Sequence, residues 1–210
     1  ATANWVGDVV PTWAADDDLY FRTVTTGNFT MTLMADRTVR SLTFGTNSTN
    51  DFKVSLNNTN GNTAYNLTMG NATNAATITL NATGGNVTIG SGIGSTFGNI
   101  TLGNTLTVNQ NSTSGLLTID RSITGTTAGF TKAGSGTLTL SGAANTWNGT
   151  TNVSAGTLTL SGSLATSGGV FVGSASGGVL NITGNLTQTA AASPRNFQIT
   201  NTAGQTGTVN

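Results

Sequence analysis

The nine residues GSGTLTLSG (134–142) are followed twenty residues later by SAGTLTLSG (154–162), so that the core TLTLSG is written twice at a fixed interval. A hairpin has no use for an identical second strand at that distance. A chain that winds does, because successive coils of a solenoid set similar strands above one another, about 4.8 Å apart. The stacking then places Leu138 on Leu158, Leu140 on Leu160 and Thr139 on Thr159.

The rest of the chain repeats the same unit without repeating its letters. Ile78-Thr79-Leu80, Val87-Thr88-Ile89, Ile100-Thr101-Leu102, Leu106-Thr107-Val108, Leu180-Asn181-Ile182 and Phe197-Gln198-Ile199 are apolar–polar–apolar triplets. In a strand such a triplet turns its two apolar residues to one face and its polar residue to the other. Gly, Asn, Ser and Thr fill the intervals, which is turn chemistry. Helical periodicity is hard to find. The expected fold is therefore all-β, a parallel β-helix or solenoid with a less regular amino-terminal capping segment. Residues 1–60 would hold the cap and first strands, and residues 61–210 the solenoid. At about 20 residues per coil, 210 residues would make roughly ten coils and a rod of about 50 Å. A sandwich built from a duplicated hairpin motif is the alternative.

Composition narrows the chemistry. Only 7% of the residues are charged and the net charge is zero, so no long-range field draws nucleic acid or acidic lipid. No apolar run approaches the roughly 20 residues that span a bilayer, so neither nucleic acid nor membrane insertion is expected. The small residues Ala1-Thr2-Ala3 are compatible with the end left by signal cleavage. Cys, His and Glu are all absent. His-dependent triads, Cys nucleophiles and nearly all zinc sites are thereby excluded, and any acid–base pair must be two Asp. Six of the seven Asp fall before residue 60; beyond it only Asp120 remains, beside Arg121. An enzyme is not expected, and no cofactor is implied.

Asp16-Asp17-Asp18 form a charge cluster that a Ca²⁺ ion could use, although the spacing of calcium loops is missing. The alternative is a solvated loop, or a cap in which Asp oxygens accept backbone N–H groups. Trp5, Trp13, Tyr20 and Phe21 are read as a plug on the open first coil rather than a sugar platform, and Trp147 as a packed corner aromatic. Thirteen Asn-x-Ser/Thr sequons are expected to form hydrogen-bonding ladders on a neutral surface.

Residues 129–162, GFTKAGSGTLTLSGAANTWNGTTNVSAGTLTLSG, resemble the autotransporter-associated β-strand repeat, also called the passenger-associated transport repeat, of bacterial surface proteins. Phe130-Thr131-Lys132 supplies the lead-in, and Gly134, Gly136, Thr137, Leu138 and Leu140 the first strand. Asn145, Thr146, Trp147 and Gly149 stand in the turn, with Thr150 where the family has a second Gly; Val153, Gly156, Thr157 and Leu158 close the unit. NWVGDVVPTWAADDDLYF (4–21) and RSLTFG (40–45) resemble the opening segment of surface proteins that carry these repeats. The resemblance implies a right-handed parallel β-helix, secretion and an extracellular or cell-surface location.

Function follows from the solenoid's end. Strand edges left unpaired invite another strand, and Phe197, Ile199, Thr208 and Val209 lie in the last apolar segments. The expectation is a structural, non-enzymatic subunit that pairs end to end with other copies of itself into a surface fibre or coat. A passenger or stalk fragment of a larger autotransported, adhesin-like protein is the alternative. A carbohydrate-binding β-helix, with surface polysaccharide as partner, is a third reading.

Overall fold

The computed structural model describes residues 14, 16–21, 28–45, 51–57, 62–81, 85–90, 96–173, 177–189, 197–199 and 206–210. Twenty-three strands follow one another with no helix among the described residues. They are β1 (Asp18–Phe21), β2 (Phe29–Thr32), β3 (Arg37–Val39), β4 (Ser41–Phe44), β5 (Phe52–Ser55), β6 (Leu67–Met69), β7 (Ala76–Leu80) and β8 (Val87–Gly90). Next come β9 (Ile100–Leu102), β10 (Leu106–Gln110), β11 (Leu117–Ile119), β12 (Ile123–Gly125), β13 (Phe130–Ala133), β14 (Thr137–Leu140), β15 (Asn145–Trp147) and β16 (Thr151–Val153). The last are β17 (Gly156–Leu160), β18 (Ser163–Thr166), β19 (Val170–Val172), β20 (Gly178–Ile182), β21 (Asn185–Gln188), β22 (Phe197–Ile199) and β23 (Thr208–Val209).

Every third strand pairs, always in parallel. Sheet 1 runs β1-β4-β7-β10-β13-β16-β19-β22, sheet 2 runs β2-β5-β8-β11-β14-β17-β20-β23, and sheet 3 runs from β3 to β21 through every third strand between. The chain is a three-sided parallel β-solenoid. Parallel neighbours need a crossover, and here the crossover is the other two sides of the coil. The first strands, β1 to β5, lie in the same sheets as the solenoid beyond residue 61.

The repeated hexapeptide stacks as its spacing requires: Leu138 pairs with Leu158, Thr139 with Thr159 and Leu140 with Leu160. All four leucines are buried. They belong to a column inside sheet 2 that reads Phe52, Val87, Leu117, Leu138, Leu158, Leu180, Val209. The residue numbers show how the coil changes: steps of 35 and 30 residues, then 21, 20 and 22, then 29. A twenty-residue coil therefore holds only around the repeat. Elsewhere the corners are longer, and between β5 and β6 Asn57 and Ala64 form an isolated antiparallel bridge. Among the described residues sheets 1 and 2 have eight strands each, a stack of about 34 Å at the usual strand spacing.

Alternation sets the layers. Burial in β7, β10 and β14 alternates strictly, with Ala, Ile, Leu, Val and one Gln (Gln110) inside and Thr or Asn outside. Thr suits the outer face because its branched Cβ packs on a pleated surface while its hydroxyl meets water. The corner from sheet 1 to sheet 2 turns through left-handed glycines, Gly134 (φ 75°) and Gly156 (φ 62°). One sequence expectation changes. Asn145-Thr146-Trp147 is a strand of sheet 3 and not a turn, because a three-sided coil needs a third short strand between the two TLTLSG strands. Thr150 is not among the residues with positive φ, so its position needs no glycine.

Leu138→Ala should lower the unfolding free energy by about 2–5 kcal/mol, the usual cost of emptying a buried leucine site. Thr139→Ala, on the outer face of the same strand, should change it by less than about 0.5 kcal/mol. Denaturant titration of both variants checks the contrast, and equal effects would contradict the inside–outside assignment.

Candidate functional site

The inward column of sheet 1 reads Leu19, Leu42, Ile78, Val108, Lys132, Val153, Val172, Ile199. A lysine therefore stands in a stack of aliphatic side chains, and it is fully buried. Parity puts it there, since Phe130 and Lys132 are two apart in β13 and must share the inner face. Its ammonium Nζ donates to the carbonyls of Ala133 (2.8 Å), Gly134 (2.7 Å) and, one coil on, Ala155 (3.1 Å). The left-handed Gly134 follows directly after Ala133, at the corner where those carbonyls meet the ammonium. Burial pushes the Lys132 ammonium down to about 8, and the carbonyl dipoles act in the opposite sense by favouring the charged form.

Other residues of the repeat tie neighbouring coils in the same way. Buried Asn145 accepts from the Ile123 N–H at 3.0 Å and donates to the carbonyls of Gly142 (2.9 Å) and Ser163 (2.8 Å), linking three successive coils. Trp147, fully buried, stacks on Phe130 with ring centroids 4.9 Å apart, and its Nε1–H donates to Thr151 Oγ1 at 2.8 Å. The indole thus fills the coil interior, as the packed reading expected. Gln110 holds the preceding corner: its Nε2 donates to Gly115 O at 2.8 Å and Thr137 O at 3.2 Å, and its Oε1 accepts from the Ser112 N–H at 3.0 Å. A Cβ at Gly136 would lie 1.9 Å from Ser112 O, so only glycine lets that corner pass. The repeat motif is thus a set of coil-to-coil fasteners. The motif's letters are legible in the sequence, while the interior roles of Lys132, Asn145 and, outside the motif, Gln110 are signalled there only by their inward parity in β13, β15 and β10.

Asp17, Asp18, Asp36, Asp51 and Asp120 are engaged by neighbouring side chains and backbone N–H groups. Asp18 is ion-paired with Arg40 on the next coil and accepts from Ser41 Oγ at 2.6 Å. The Arg40 guanidinium and, to a lesser degree, the Ser41 hydroxyl hold its carboxyl below the usual range against a partial burial effect. Asp17 Oδ2 accepts from the Ala14 N–H at 3.0 Å. Asp16, Asp17 and Asp18 are not gathered, and no group of three acidic residues suited to a metal occurs among the described residues. Asp51 joins a ladder instead: Asn28 Oδ1 accepts from Asp51 N–H, Asp51 Oδ1 from Asn86 N–H, and Asn86 Oδ1 from Leu116 N–H, at 3.0–3.2 Å. Asp36, Asn66 and Asn99 form a second ladder at 2.7 and 2.9 Å. Asp120 is paired with Arg121 at 3.4 Å, and that guanidinium lies over Phe97. Trp5 and Trp13 lie outside the described residues. Phe21 stacks on Phe44 within the first coils, while Tyr20 on the outer face is exposed.

The last rung is formed by β21, β22 and β23, each the final strand of its sheet. Phe197 and Ile199 end inward columns, over Val170 and Val172. They are nevertheless 42% and 47% exposed, where Val170 and Val172 are buried. Thr208 and Val209 pair with Val179 and Leu180, and Val209 packs partly against the core. The structure therefore brings the four expected assembly residues together on one rung.

Residues 130–160 match the family model of the passenger-associated transport repeat. The chain carries this repeat. The match takes in Lys132, Asn145 and Trp147, and leaves Gln110 outside it. The repeat points to a secreted or cell-surface protein, and together with the solenoid it fits a passenger-like surface protein of the autotransporter kind. No curated protein and no solved structure gives a significant match to the chain.

Lys132 supplies a pH test. Its proton leaves the folded chain near pH 8 and the unfolded chain near the ordinary value of 10.5. Between those limits the unfolded state binds the extra proton, so stability should rise with pH across that window and fall back as pH drops through 8. Denaturant midpoints of the wild type should climb relative to those of Lys132→Met between pH 7.5 and 10. Parallel profiles would show that Lys132 does not titrate there.

Proposed function

We propose that the chain is a non-enzymatic extracellular scaffold, and that its last rung is extended by strands of a second copy to give a surface fibre or coat. The exposure of Phe197 and Ile199 at the ends of otherwise buried columns carries this reading. An added strand would cover both side chains and satisfy a row of backbone groups, each hydrogen bond contributing about 0.5–1.5 kcal/mol net. The rung's described residues carry no charge, so assembly rests on main-chain bonds and apolar contact, which salt does not screen.

The same rung supports a second reading, in which further coils of a larger adhesin-like passenger continue the stack and this segment is stalk. The transport repeat favours that version equally. A carbohydrate-cleaving role has less support: among the described residues beyond 60 the carboxylate chemistry reduces to Asp120, already paired with Arg121.

Two measurements separate these readings. Filaments of the intact chain should be visible by electron microscopy and persist at about 1 M salt, where the Debye length is about 3 Å; deleting residues 197–210 should shorten or abolish them. An intact chain that stays monomeric at high concentration, or a truncated one that polymerises normally, would replace the fibre with the stalk. A polysaccharide panel should show no cleavage. Cleavage that disappears in Asp120→Asn would overturn the non-enzymatic reading.

A further inference from the structure

We draw no further inference here: the strongest candidate, the column of outward threonines Thr68, Thr101, Thr124 and Thr146 on sheet 3 with the shallow depression of about 270 Å³ beside it, is a run of small hydroxyl side chains at which nothing in the structure shows what binds.

Discussion

The register of parallel pairing from one coil to the next is the constraint on which everything else rests. A side chain that points inward in one coil must meet an inward side chain above and below it, because a slip of one residue turns the whole strand inside out. Columns such as Val87–Leu117–Leu138–Leu158–Leu180 are the result. No disulfide assists, since the chain has no cysteine. The ladder hydrogen bonds and the stacked aliphatic interior hold the coils, and corners may grow or shrink so long as the three short strands return to their places.

The fold was legible because the stacking rule is written directly in residue spacing. TLTLSG returning after twenty residues is the rung itself, and the triplets of alternating polarity mark its sides. The coil count was not legible. The interval at 138 and 158 does not carry over to Phe52 and Val87, which pair although 35 residues apart. Nor was the third side visible around Asn145, since a polar residue opening NTW resembles a turn until its amide is seen buried between three coils.

Part of the surface is held by ladders of Asn and Asp side chains that accept backbone N–H groups. Asn and Asp oxygens at the strand entries accept the N–H of the following coil, a backbone-capping role that the sequence raised only for Asp16-Asp17-Asp18. The first coils, with the longest corners, hold most of these ladders and most of the Asp. The coils around the repeat instead place their polar atoms inside, on Lys132, Asn145 and Gln110. Composition alone could not assign those interior roles, since the same residue types elsewhere face solvent.

Self-similarity makes such a stack ambiguous, and the buried lysine answers that ambiguity. TLTLSG at 137–142 and at 157–162 are interchangeable as ladder partners, so aliphatic columns alone would tolerate one coil looped out and its neighbours closed over the gap. An ammonium at Lys132 tolerates no such substitution. Two of its carbonyls, Ala133 and Gly134, belong to its own corner, and the third, Ala155, comes from the next coil, so a stack that skipped that coil would take away the one acceptor that crosses the rung. The Lys132–Ala155 bond thus ties one particular pair of coils together by a contact that the aliphatic columns do not repeat.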